Sequence, residues 1–316
     1  PPLAGGRFVP LCRSRAVLPL NSTLLCLLCL LTGCAGEPHP GPDPEAAAGG
    51  PAAASVPPPG EEARAISVPL DRYDPSPAEQ EVLDAAEDLL TARCMRRRGL
   101  SWERLPRTAA QDAEPRNRRR YGVVEPAIAR GYGYHLPPDR PGVARRAAAA
   151  AARRAGLGDA GKAAAYGPEG RPGKATGGCV KQAEDALLDD VPDADFALLD
   201  DTIGTTYERS MKARSVARVF RAWSACMRQS GYRYADPMQA LSDERWLRGD
   251  RAAAAEIRQA RTDVRCKKGT DLVAVWNAAE NRIQRAAIGE HPAAFAKLLR
   301  AQRAWMAAAR RVLGGS

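Results

Sequence analysis

Histidine is the side chain most used to move protons near neutral pH, and this chain has three: His39, His135 and His291. His39 lies in "GEPHPGP" with no partner nearby and reads as solvated. His291 stands before Pro292, where a helix start makes capping the expected role. His135 closes the string "YGYH" and has the placement of a base, yet no serine, cysteine or acid is marked by sequence as its partner, so structural packing is preferred to catalysis. The acidic stretch "EDALLDDVPDADFALLDD" offers Glu184 with Asp200 or Asp201 as a carboxylate pair. Glycan hydrolysis by such a pair needs roughly 5 to 10 Å between carboxyls and one raised pKa, and a solvated helix end is the plainer reading. The same acids lack the DxDxDG calcium loop. There is no GxSxG, no HExxH and no phosphate-loop glycine pattern. No catalytic residue, metal ligand set or cofactor is assigned.

Cysteine carries the clearest chemistry. Arg7, Arg13 and Arg15 precede an apolar stretch, residues 16–31, with no acid before Glu37, the pattern of a secretion signal. Its densest part, residues 24–31, is far shorter than the roughly 20 residues that span a bilayer. The stretch ends Leu31, Thr32, Gly33, Cys34, which resembles the lipobox of bacterial lipoproteins at all four positions. That resemblance implies cleavage after Gly33 and a diacylglyceryl thioether on Cys34, two acyl chains being a stable anchor where one is marginal. Cys12, Cys26 and Cys29 would leave with the signal. Residues 35–62 are Pro, Gly, Ala and acid with little to bury, a disordered, semi-rigid tether between anchor and folded part. The chain opens on Pro1 rather than Met, so translation is expected to begin upstream.

Charge sets the class of partner. The chain has 47 Lys and Arg against 37 Asp and Glu, and loss of residues 1–33 removes three arginines and no acid, leaving 44 against 37. Arginine outnumbers lysine and alanine is abundant, a bias of GC-rich actinobacterial genomes. The basic runs, Arg96 with Arg97 and Arg98, residues 116–120, Arg145 with Arg146, and Arg153 with Arg154, are candidates to face anionic lipid or wall polymer. Ordinary solvated helix faces are the preferred reading of these runs. From these runs Arg118, Arg119 and Arg120, together with Tyr132, Tyr134 and His135, form the expected surface contact. Export conflicts with a nucleic-acid partner.

The elements that must position these residues read as helices. Ser76, Pro77 and Glu79 form a capping box, after which Val82, Leu83, Ala86, Leu89, Leu90 and Cys94 recur on one face until Gly99. A second helix runs through Val216, Val219, Phe220, Trp223, Cys226 and Met227 to Gly231, and Asp236 with Pro237 restarts the chain. Further apolar faces pass through Ile257 and Val264, through Leu272, Trp276 and Ile283, and, after Pro292, through Phe295, Leu298, Trp305 and Leu313. The five tryptophans read as core residues. Between these helices, residues 116–138 also read as a segment that wraps the bundle with its tyrosines packed on helices, and residues 156–178 read as a mobile loop.

The two helix ends are alike, "CMRRRGL" from Cys94 and "CMRQSGY" from Cys226, and each has a later cysteine, "CVKQAE" at Cys179 and "CKKGTD" at Cys266. They point to two related halves, 76–200 and 206–313. Four mature cysteines besides Cys34 predict two disulfides in an oxidising compartment, with three connectivities open. The repeat favours Cys94 with Cys179 and Cys226 with Cys266. A zinc site of the four thiolates lacks CxxC spacing.

Taken together, the lipobox, the two CMRxxG strings, "YG", "YGYH" and the "DVRC" of residues 263–266 resemble a group of uncharacterised secreted lipoproteins of actinomycetes over roughly residues 80–313. The resemblance implies a helical, disulfide-bonded envelope protein and carries no activity. The expected fold is all-α: a disulfide-stapled antiparallel helical bundle (66–316) after a signal peptide (1–33) and a lipidated tether (34–65). The expected place is the outer face of the plasma membrane, anchored through diacylglyceryl-Cys34, as an interaction or binding protein accessory to a transporter or wall machinery. Its partner would be an envelope protein complex or an anionic wall polymer. A cell-wall glycan hydrolase is the alternative. An interaction module predicts an exposed apolar or basic patch; a hydrolase predicts a groove holding a buried acid.

Overall fold

The computed structural model describes residues 56–168, 177–246 and 248–314, within one compact unit, Val56–Ser316. The signal, Cys34 and most of the tether lie outside the described residues. The described chain is an all-α, disulfide-stapled helical bundle without a strand. Its order is α1 (Glu61–Arg64), a 3-10 turn (Pro69–Tyr73), α2 (Pro77–Arg97), α3 (Pro126–Tyr132), α4 (Pro141–Gly156), α5 (Asp159–Tyr166), α6 (Gly178–Leu188), α7 (Phe196–Met211), α8 (Arg214–Gln229), α9 (Pro237–Leu241), α10 (Ala254–Gly269), α11 (Leu272–Glu290) and α12 (Pro292–Gly314).

Local chemistry fixes the helix ends. At the start of α2 the Glu79 amide donates to Ser76 Oγ at 3.3 Å and the Ser76 amide donates to Glu79 Oε2 at 2.8 Å, the reciprocal cap that the spacing predicts. The repeated CMRxxG string is a stop signal. Gly99 and Gly231 take φ of 71° and 85°, and the next amides, Leu100 and Tyr232, both reach back to Met95 and Met227 carbonyls at 3.0 Å. This is the Schellman geometry, in which glycine supplies the left-handed turn and the following apolar residue covers the last turn. Both methionines are fully buried.

Two disulfides join Cys94 to Cys179 and Cys226 to Cys266, the pairing the repeat favours. Their settings differ: Cys179 opens α6, while Cys266 lies in the last turn of α10. The "CVKQAE" and "CKKGTD" strings are therefore not equivalent in structure.

Packing interleaves the two parts of the chain. Along α2 and α6 the disulfide lies toward one end and the Leu83–Leu187 contact cluster toward the other, so the pair is antiparallel, and α12 packs on both. In the other direction α3 packs on α10. The largest core surrounds Trp276, whose ring meets Tyr121, Tyr207 and Phe220 at centroid distances of 4.8, 5.6 and 4.9 Å. Its indole N–H donates to Ser210 Oγ at 2.7 Å, so the buried ring leaves no polar atom unpaired.

The stretch expected as a loop is corrected in part. Residues 159–166 form α5, whose Tyr166 packs beside the Cys94–Cys179 disulfide. The alanine-rich run before it forms α4, since alanine has the highest helix propensity even where apolar periodicity is absent. The centre of the expected loop, residues 169–176, lies outside the described residues.

Candidate functional site

The arginine run 116–120 turns inward, which corrects its expected role as a surface contact. Arg116 pairs with the Asp74 carboxylate. Arg118, 7% exposed, donates from Nε to Glu125 Oε2 at 2.6 Å. Arg119 donates to the Tyr134 carbonyl at 2.7 Å. Arg120 pairs with Glu280, to which the Tyr121 hydroxyl also donates at 2.8 Å. Guanidinium forks suit such fixed carboxylate and carbonyl partners, and two of the partners, Asp74 and Glu280, come from distant elements. The run fastens the loop before α3 onto the bundle.

The "YGYH" string is part of the same lock. Glu256, at the start of α10 and 1% exposed, accepts from the Tyr134 amide at 2.7 Å and the His135 amide at 3.2 Å. His135 Nδ1 lies 2.8 Å from the same oxygen, and that hydrogen bond holds the imidazole above its ordinary pKa. Gly133 is required because its φ is 55° and a β-carbon there would stand 2.6 Å from Glu256 Oε1. Tyr134 is buried, and Tyr132 and His135 are half-buried; these settings agree with the packing reading of the tyrosines and of His135 and correct their reading as a surface contact.

A third pair lies deeper. Lys267 Nζ donates to Asp263 Oδ2 and to the Val123 carbonyl, each at 2.9 Å, and Trp223 Nε1 donates to Asp263 Oδ1 at 2.9 Å. Burial pushes the Asp263 carboxyl up and the Lys267 ammonium down, with each charge opposing the shift of the other. All these partners are fixed in the interior.

The acids considered for hydrolysis do not share a setting. Glu184 on α6 adds its charge to Glu87 of α2, whereas Asp200 on α7 adds its charge to Asp74. Asp200 and Asp201 are exposed. Among the described residues no three His, Cys, Asp or Glu side chains gather as metal ligands. His291 is exposed, and its backbone joins α11 to α12, donating to Ile288 and accepting from Phe295.

The outer surface holds what the interior does not: unpaired charge. Arg214, Arg218, Arg221 and Arg228 are exposed along one side of α8, opposite the buried Val216, Val219, Phe220, Trp223 and Met227. Between Glu208 and Asp236 the sequence has no acid, and among the described residues none of these four arginines has an ion-pair partner. Past the end of α8 a hollow of about 420 Å³ is lined by Tyr232, Arg233, Tyr234, Asp243 and Arg245. Its acid is neutralised: Arg245 binds Asp243 at 2.8 Å and holds its carboxyl below the usual carboxylate range, with help from the Tyr234 hydroxyl at 2.6 Å. From α10, Arg265 reaches Ser230 at 3.3 Å. The sequence signal for this face was the acid-free interval, which contiguous basic runs obscure because its arginines are spaced rather than adjacent.

A second hollow of about 400 Å³ lies between α1 and the α10–α11 junction, with an apolar wall including Ile66, Val124, Val264 and Val273 and with Lys268 and Asp271 among its polar lining. Asp271 has a φ of 52°. Glu87, whose carboxyl is pushed up to about 7 by burial, lines neither hollow. Leu136 is the large apolar side chain left exposed among the described residues, and no helix among them is long and apolar enough to cross a membrane.

No known protein family, curated protein or solved structure matches this chain.

Proposed function

We propose that the chain is a lipid-anchored, extracytoplasmic binding protein of the cell envelope, held by diacylglyceryl-Cys34 and accessory to membrane transport or wall machinery. The observation that carries the binding role is the division of charge. Buried ionisable groups such as Arg120, Glu280, Asp263 and Lys267 are spent on one another, while the α8 arginines face outward without acid partners. The first arrangement fixes a rigid scaffold, and the second gives it a surface to present. The location rests on the lipobox string and the Pro-rich tether, and two disulfides suit an oxidising compartment.

The test is labelling of cells with an alkyne fatty acid, followed by cross-linking and mass spectrometry, on the natural chain and Cys34→Ala. Label on the natural chain, absent from the variant, together with capture of an envelope complex lost in the variant, is the expected result. Equal label or equal capture in both sinks the anchored reading.

A further inference from the structure

We infer that the outer face of α8, continued by the hollow at its end, is a docking track for a linear, phosphate-bearing polyanion. The inference rests on the binding-protein reading and gives that surface its ligand class.

From Arg214 through Arg218 and Arg221 to Arg228 the sequence separation is 14, about 21 Å of helix at about 1.5 Å per residue. Arg214 with Arg218 and Arg218 with Arg221 are like-charge neighbours one turn apart, a spacing that destabilises a helix. Folding has no use for this arrangement: the amphipathic pattern needs the opposite face of α8 apolar, and any polar residue would serve outside. An extended anion removes the repulsion. At the end of the helix the charge continues rather than stops, because Arg233 lines the hollow and Arg265 of α10 reaches Ser230 beside it. Asp243, the acid in that lining, is already held by Arg245, so it does not repel an incoming anion. Arginine forks pair with phosphate oxygens in two parallel hydrogen bonds.

The surface around the track selects among polyanions. Beside the arginines the other exposed positions of α8 are small or polar, Ala222 among them and Gln229 just past Arg228. On α8 they offer neither the aromatic faces on which bases stack nor the apolar side chains that enter a bilayer; the two tyrosines of the hollow, Tyr232 and Tyr234, are half-buried, and the Tyr234 hydroxyl donates to Asp243. A phosphate polymer without bases or acyl chains is the partner this chemistry fits.

The experiment is binding of fluorescent long-chain inorganic polyphosphate to the purified full chain across a salt series. Compared with it are Arg214→Gln/Arg218→Gln/Arg221→Gln and a control of equal charge, Lys297→Gln/Arg300→Gln/Arg303→Gln, on α12, which packs on α2 and α6. The expected result is affinity that falls steeply with salt, with the α8 variant weakened at least tenfold and its log–log salt slope reduced by about 2 to 3, near one per arginine removed. The control is expected to stay within about twofold, since charges beyond a Debye length are largely screened. Equal weakening of both variants would show net charge rather than a track and overturn the inference. So would tighter binding to single-stranded DNA, or to vesicles of anionic lipid, than to polyphosphate. Purified protein reads the track alone, so failure here leaves the anchoring experiment to stand or fall by itself. Unchanged far-ultraviolet circular dichroism and melting of the variants separate lost contact from lost fold.

Discussion

Glu87→Gln is expected to stabilise the protein above neutral pH and to leave it nearly unchanged in acid. Glu87 lies on α2, half-buried. Burial is the largest cause that pushes its carboxyl from 4.5 up to about 7, and the charges of Asp84, Glu184 and Asp88 add to it while Arg153 opposes. In the unfolded chain the group titrates as an ordinary glutamate. Below pH 4.5 both states hold the proton and folding meets no penalty from this group. Between pH 4.5 and about 7 the folded protein retains a proton that the unfolded chain has lost, so stability falls with rising pH. Above that window both states are ionised and the loss is complete. The displacement sets a ceiling of about 3 kcal/mol, and because Glu87 keeps part of its surface in water, screening brings the expected gain for glutamine to about 1 to 3 kcal/mol. For a body of this size that is a rise of roughly 2 to 10 °C in Tm. Urea unfolding of both proteins, followed by circular dichroism on either side of the window, measures the difference. A difference that is the same at both ends, or a variant less stable in the alkaline arm, would refute the assignment of the shift to burial and the neighbouring acids.

Other perturbations test the interior. Asp263→Asn strands the buried Lys267 ammonium and is expected to cost about 3 to 5 kcal/mol, whereas Asp263→Leu/Lys267→Met should recover much of it; denaturant titration decides, and equal losses would contradict the pairing. Gly133→Ala forces a β-carbon against Glu256 at positive φ and should destabilise by about 1 to 3 kcal/mol, while Gly131→Ala, with open space at its β-carbon, should be neutral or better by thermal melting. Removing the Cys94–Cys179 bridge, 85 residues apart, is expected to cost about 4.6 kcal/mol and the Cys226–Cys266 bridge, 40 apart, about 3.9 kcal/mol in the chain-entropy account. The midpoints of the paired Cys→Ala variants test that order.

Helix boundaries were legible because their causes are local. Ser76, Pro77 and Glu79 cap α2 from within four residues, and each CMRxxG string ends its helix through one glycine and two backbone hydrogen bonds. The repeat also favoured the cystine pairing found. Helix α4 was less legible: its alanines carry propensity but no apolar stripe, and α5 was hidden among glycines.

Where a long charged side chain points is not a local property. Arg116 and Arg120 read as a solvated run, yet Asp74 and Glu280 stand 42 and 160 residues away in the chain, and the energy of burying a guanidinium turns on whether such a partner arrives. The same holds for Glu256, which makes a structural lock of "YGYH", and for Asp263 and Lys267, whose spacing is helical but whose burial depends on Trp223 and Val123. The sequence by itself determined the α class, the caps, the apolar faces and the scarcity of histidine, since these follow from residue type and short-range spacing. Tertiary structure decided which charges were spent inside and which remained outside: pairing and desolvation are set by neighbours in space, and the α8 arginines stay exposed because the packed faces of the bundle bring them no acid.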